Sequence, residues 1–226
     1  MASAAGRGGR LLVAAGLGLL AAQGYRVCRS RALAWGATPA ERVTGLAGDR
    51  GGRAPDLVAT RAISVRADAD QVWAWLVQLG RSRGGFYSYD WLENLVGLGI
   101  HSADRLEPRW SVLEVGDVVD LAEGVVLTVV AVREPTDLVL RAAVPADGPE
   151  PPYEFVWSFH VRPGRDTSRL VVRERYWYYS RGARTIVETV QWVSLVMTRG
   201  MLRGIRARAE RADRAGSEKH GQRPRP

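Results

Sequence analysis

ARTIVETVQWVSLVMTRGMLRGIRARAERA, residues 183–212, contains no proline and repeats apolar side chains at Ile186, Val190, Val193, Met197 and Met201, with Leu202 and Ile205 beside them. Steps of three and four place these on one face of an α-helix, and 30 residues at 1.5 Å each extend about 45 Å, enough to cross a whole sheet. Gly200 and Gly204 weaken the helix near its end and leave small surfaces for a close neighbour. Methionines on such a face read first as core, although their flexibility also suits an adaptable pocket.

Upstream of this helix the period changes to two. Tyr153 to Val161 alternates, with Tyr153, Phe155, Trp157, Phe159 and Val161 on one face, as a strand does. After the Pro163-Gly164 turn, Leu170 to Tyr178 sets Leu170, Val172, Glu174, Tyr176 and Tyr178 against Val171, Arg173, Arg175 and Trp177. Both faces of this strand mix apolar and charged groups. A charge turned inward would be a polar spot in an apolar cavity, and one turned outward ordinary solvent face; at the level of sequence both stand.

Earlier strands are expected at Thr60–Val65, Asp117–Leu121, Val125–Val132 and Leu138–Val144. The nearly unbroken apolar run of Val125–Val132 reads as a central strand covered on both faces. Asp68 or Asp70 caps a helix through Leu79 with a buried stripe of Val72, Trp75, Leu76 and Leu79. The sum is an α+β plan: a curved antiparallel β-sheet wrapped around a long C-terminal α-helix, with two short helices after the first strand. One helix cannot fill such a sheet. The space left over is a natural cavity between Phe155, Trp157 and Phe159 on one side and Val190, Val193 and Met197 on the other.

The second short helix belongs to RGGFYSYDWLENLVGLGIHSADR, residues 83–105, the densest special chemistry in the chain. Gly84-Gly85 allows a sharp entry, Ser88 offers an N-cap and Gly97 a stop, so Tyr89–Val96 reads as helical. Trp91, Leu92, Leu95 and Val96 fall on its packed side and Asp90, Glu93 and Asn94 on its polar side, which favours a solvated acidic face over a paired-carboxylate site. The aromatics Phe86, Tyr87, Tyr89 and Trp91 are candidate ligand contacts. Tyr87, His101 and Asp104 are candidates for the polar end of the cavity, with Asp104 orienting the imidazole and Tyr87 donating to a ligand carbonyl. A hydrogen-bond knot that pins the loop is an equal alternative. Arg173 completes the catalytic candidates.

Of the formal charge of +8, residues 1–31 carry +5 (five arginines, no acid) and residues 203–226 another +5, leaving −2 for residues 32–202. A near-neutral body with basic ends argues against a nucleic-acid-binding face and fits segments near anionic phospholipid, or simply solvated tails. Cys28 is the single cysteine, and His101, His160 and His220 have no ligand spacing, so no metal and no cofactor are expected. GxSxG, GxGxxG and P-loop motifs are missing. Leu11 to Ala22 is an apolar run of twelve residues flanked by arginine, short of the roughly 20 that span a bilayer. It reads as an uncleaved N-terminal anchor, spanning or interfacial, rather than a signal peptide. The expected division is 1–34 anchor, 35–56 linker or loosely packed strap, 57–212 folded domain and 213–226 disordered basic tail.

WGATPAE (35–41), TRAISV (60–65), VWAWLVQLG (72–80), RGGFYSYDWLEN (83–94), IHSADR (100–105), VGD (115–117), WSF (157–159) with the following SRLVVR, and MLRGIRARAE (201–210) together resemble the polyketide cyclase/START-like (SRPBCC) superfamily. The likeness is to an actinobacterial-type branch with an N-terminal hydrophobic segment. Arg66-Ala67-Asp68-Ala69 stands where that family often has Ala-Pro-Pro, and Ala47-Gly48-Asp49 where it often has Pro-Gly-Asp. The resemblance implies a helix-grip fold and a deep cavity for a lipid, polyketide or other apolar small molecule. Three functions are open under it: a binding protein at a membrane surface, a cyclase or dehydratase-type enzyme, and a membrane-tethered interaction module without ligand.

Overall fold

Sheet and terminal helix follow from where the chain alternates and where it does not. The computed structural model describes residues 3–49, 52–95, 101–142 and 151–221. In chain order these form α1 (Ser3–Leu33), α2 (Pro39–Val43), β1 (Leu57–Val65), α3 (Ala69–Leu76), α4 (Asp90–Leu95), a 3-10 turn at Pro108–Trp110, β2 (Val118–Ala122), β3 (Val125–Arg133), β4 (Asp137–Ala142), β5 (Tyr153–Pro163), β6 (Ser168–Tyr178) and α5 (Ala183–Gly221). The six strands make one antiparallel sheet in the order β1-β6-β5-β4-β3-β2. Bulges between Asp120 and Ala122 and between Val129 and Ala131 bend it by inserting an unpaired residue. The α+β helix-grip architecture is therefore present, with α5 held in the curve of the sheet. Met201, Leu202, Ile205 and Ala209 of α5 are buried in one core with Val72, Trp75 and Leu76 of α3 and with Leu127, Leu140 and Phe159 of the sheet.

Several expectations need correction. β3 is not a central strand covered on both faces: it lies next to the edge strand, and Leu127 and Val129 are buried on one face while Val126, Thr128 and Val130 on the other are only half-buried. α3 stops at Leu76 because the chain turns back at Gly80, which takes φ 136° and pairs with Gly85. α5 runs on to Gly221 through residues expected to be a disordered tail. Residues 96–100 and 143–150, including Val96 and the end of the strand expected to reach Val144, lie outside the described residues.

The segment 35–56, read as a linker or strap, is closely tied to the convex face of the sheet. Thr38 and Glu41 form a reciprocal capping box at α2: the Thr38 N–H donates to Glu41 Oε2 at 2.7 Å and the Glu41 N–H to Thr38 Oγ1 at 3.2 Å, which satisfies two otherwise orphaned backbone donors. Beyond it Asp49 meets both Arg173 and Arg175, and the Trp177 indole N–H donates to the Arg53 carbonyl at 2.9 Å. These three side chains of β6 point out of the cavity. The strap makes their burial possible by supplying acceptors.

Also buried are His160 of β5 and its cross-strand partner Asp137 of β4, joined at 2.7 Å, with Arg162 reaching the same carboxylate at 3.2 Å. Burial pushes the His160 pKa down from its ordinary 6.5, against the pull of Asp137. A depressed histidine binds its proton more readily in the unfolded chain, so its contribution is full above that ordinary value and declines as pH falls from there toward the folded pKa. Asp137 adds its own loss only at lower pH: burial raises its pKa, but bonds from His160 and Thr136 outweigh this and hold it below the usual carboxylate value. Unfolding midpoints in urea should therefore fall between pH 7 and about pH 5, a slope that His160→Gln flattens; an unchanged slope in the variant would assign the effect elsewhere.

α1 is tied to the domain at its C-terminal end. Arg29 bridges Glu188 of α5 at 2.5 Å, the Tyr25 and Trp192 rings lie 6.3 Å apart, and Ala32 is buried. Among the described residues no helix is long and apolar enough to cross a membrane, so the transmembrane reading of residues 1–34 is not supported. Gln23, Arg26, Arg29 and Arg31 follow the apolar run too closely, and each charge near a bilayer centre costs about 3 kcal/mol.

Candidate functional site

Because β5 and β6 are joined by the short 163–168 turn, their register sets Trp157 opposite Glu174 and Phe155 opposite Tyr176. All four side chains therefore stand on one face of the sheet, the concave one. Above them α5 presents Val190, Val193, Ser194, Met197 and Thr198, and between helix and sheet remains a cavity of about 300 Å³. Phe86 closes one side, and Leu121, Leu127 and Ala142 continue the wall. The rings form a connected series: Phe155 stacks on Tyr176 at 4.8 Å, and Trp157 lies 4.6 Å from Phe159 and 6.4 Å from Phe86. Such a wall is apolar on nearly every side.

Its polar spot is Glu174. The carboxylate is buried, and Oε1 accepts from Arg61 Nη1 at 2.6 Å, Ser194 Oγ at 2.7 Å and Thr198 Oγ1 at 3.2 Å. Oε2 accepts from Ser194 at 2.8 Å and from the Tyr176 hydroxyl at 3.2 Å. Arg61 is equally buried and donates through Nε to the Ala32 carbonyl at the end of α1. Two charges survive burial here because each is paired and hydrogen-bonded. Burial, with the Glu174 charge beside it, holds the Tyr176 phenol well above its usual range, so it stays a neutral donor.

No family model and no curated protein sequence matches the chain. Similar solved structures include the protein Ara h 8.0201 (12% identity over 68% of this chain and 97% of that one, TM-score 0.43). Others are truncated norcoclaurine synthase from Thalictrum flavum (14% identity, 68% and 96%, TM-score 0.39) and DynU16, a protein in the dynemicin biosynthetic locus (18% identity, 66% and 47%, TM-score 0.40). At these identities and scores the likenesses say nothing about activity.

Of the ligand contacts expected from sequence, Phe86, Phe155, Trp157, Val190, Val193 and Met197 line the cavity. Phe159 is buried in the core behind it. Tyr89 and Trp91 are not among the lining residues, and Trp91 is 70% exposed. The cause is Asp90: its carboxylate accepts from the Ser102 N–H at 2.7 Å and hydroxyl at 2.6 Å, which turns the supposed solvent face toward the loop and carries the next residue outward.

None of the four catalytic candidates lines the cavity. Tyr87 is buried at φ 56° with its ring 5.5 Å from Trp75 and 4.9 Å beneath Arg208, and burial pushes its hydroxyl far above the ordinary value. His101 is exposed. Asp104, 87% exposed, pairs with Arg208 at 3.1 Å, and Arg208 Nε also donates to the Ala103 carbonyl. Arg173 lies on the convex face, bonded to Thr60, Thr44 and Asp49. The 101–104 loop is therefore a knot that ties α4 to α5. The polar cluster lining the cavity is made instead by Glu174, Tyr176, Ser194 and Thr198, with Arg61, not itself a lining residue, paired to Glu174.

Proposed function

We propose that the protein binds a hydrophobic small molecule or lipid in this cavity, with the Glu174 cluster facing its polar group. The observation that carries the reading is an aromatic and aliphatic chamber of about 300 Å³ with one hydrogen-bonded carboxylate in its wall, the usual composition of a ligand site. Binding is favoured over cyclase or dehydratase chemistry because both Glu174 oxygens are already engaged by donors, and His101 and Asp104 stand elsewhere. Ligand exchange at a lipid surface fits the mouth: Val190 and Val193 line the cavity yet are 39% and 61% exposed, with Ile186 and Val196 exposed beside them and Leu17, Leu19 and Leu20 exposed on α1. Exposed apolar side chains around a cavity mouth suit such an interaction.

A neutral apolar dye tests the reading. Met197→Trp, which fills the chamber, should weaken dye binding by about tenfold or more while leaving the melting temperature within a few degrees. Val193→Asp, at the mouth, should slow transfer of bound dye to phosphatidylcholine vesicles. Dye affinity unaffected by Met197→Trp would show that the chamber is not the site.

A further inference from the structure

A second cleft, of about 600 Å³, lies between β1 and the C-terminal half of α5 and is lined by Trp35, Ala62, Ile63, Arg169, Arg203 and Arg206, among others. Its charges are unbalanced. Arg169 is taken up by Glu41 at 2.7 and 2.9 Å and by the Gly36 carbonyl. Arg206 is taken up by Glu210 at 2.9 Å, a carboxylate that Arg66 also approaches. Arg203, with Arg199 one turn before it, has no carboxylate partner among the described residues; instead both guanidinium groups sit over the Trp35 indole, at 5.6 and 5.0 Å from its centre. Five arginines, Arg66 included, against two glutamates leave a local charge of +3.

We infer that this cleft binds a phosphate-bearing ligand against the Trp35, Ala62 and Ile63 floor, held by Arg203 of its lining and by Arg199, which is not itself a lining residue but reaches over the same Trp35 ring. The indole restrains the two guanidinium groups by cation–π contact, so less side-chain freedom is lost when an anion arrives. Two forks set one helical turn apart, about 6 Å along the axis, suit a tetrahedral dianion whose terminal oxygens can accept from both. The apolar floor then takes the organic part of a phosphate ester. The same chemistry is presented by a free phosphomonoester and by the headgroup of an anionic lipid. The inference is independent of the cavity reading, because none of the residues lining this cleft lines the cavity.

Full-length protein titrated with glycerol 3-phosphate, and sedimented with phosphatidylcholine vesicles with or without phosphatidic acid, tests it. Saturable binding of either probe is expected, weakened about tenfold or more by Arg199→Gln combined with Arg203→Gln, and unchanged by Arg211→Gln, an exposed arginine of the same helix outside the cleft. Arg203→Lys, which keeps the charge and loses the fork, should fall between, and serves if the double variant does not fold. Vesicle binding that glycerol 3-phosphate competes away assigns the lipid headgroup; saturable ester binding with vesicle binding indifferent to the variants assigns the free ester. Loss of binding to the same extent in Arg211→Gln, or binding of neither probe, overturns the inference. Dye uptake by the cavity should be the same in all these variants.

Discussion

Arg61→Leu is expected to destabilise the protein by about 3–5 kcal/mol, the cost of leaving a buried charge without its partner. Glu174 loses its 2.6 Å ion pair and keeps only hydroxyl donors from Ser194, Thr198 and Tyr176, none of which carries compensating charge. The Ala32 carbonyl loses its donor as well, so the end of α1 should loosen with the same substitution. Glu174→Leu alone strands Arg61 in the same way. Combining the two removes both charges and replaces them with apolar volume beside an apolar chamber, and should recover most of the loss, because a buried pair gives little net stability over a well-packed hydrophobic replacement. Urea denaturation of the four proteins forms a double-mutant cycle. Single variants costing under about 1 kcal/mol would mean that the pair is solvated, and the polar end of the cavity would then be open to water.

Much of the architecture was legible because it depends on periodicity. The apolar steps from Ile186 to Ile205 gave α5, and the alternation from Tyr153 to Val161 gave the aromatic wall. The orientation of β6 was legible in principle. The Pro163-Gly164 turn fixes the hairpin register, and the register puts Glu174 across from Trp157 rather than Arg173. The same register turns Arg173 to the convex face, while Ser194 and Thr198, one turn apart on α5, face Glu174. Arg61 alternates with Ile63 and Val65, so its inward direction could also be read.

What local sequence does not hold is the destination of long-range hydrogen bonds. Asp90 looked solvated by helical phase, yet Ser102 is its partner; Asp104 looked poised beside His101, yet Arg208, more than a hundred residues on, takes it. The strap was equally hidden. Nothing in the glycine-rich 44–53 stretch shows that Asp49 and the Arg53 carbonyl will meet the outward side chains of β6, since such contacts are made by the folded sheet and not by neighbours in the chain.

Gly204→Ala is expected to be the most damaging change of a single methyl group in α5. A Cβ at this position would stand inside contact distance of the Tyr87 carbonyl oxygen and within 2.8 Å of its carbonyl carbon. That backbone cannot retreat: Tyr87 is already held at a left-handed φ of 56°, its N–H donates to Ser102 Oγ at 2.9 Å, and Ser102 is fixed by Asp90. Overpacking against an immobile neighbour costs about 3 kcal/mol, and the better helix propensity of alanine returns about 1. Gly200→Ala supplies the contrast, since its Cβ would meet the Tyr89 ring at 2.8 Å and Ser88 Oγ at 3.1 Å. These are side chains that rotate away, so the steric cost and the propensity gain should nearly cancel. Thermal unfolding of the two variants side by side decides whether α5 and the Tyr87 loop touch as closely as the structure has them: two losses equal to within about 0.5 kcal/mol would refute that contact, whereas a loss confined to Gly204→Ala would show that the loop bearing Phe86, one wall of the cavity, is set in place by the absence of a side chain on the helix.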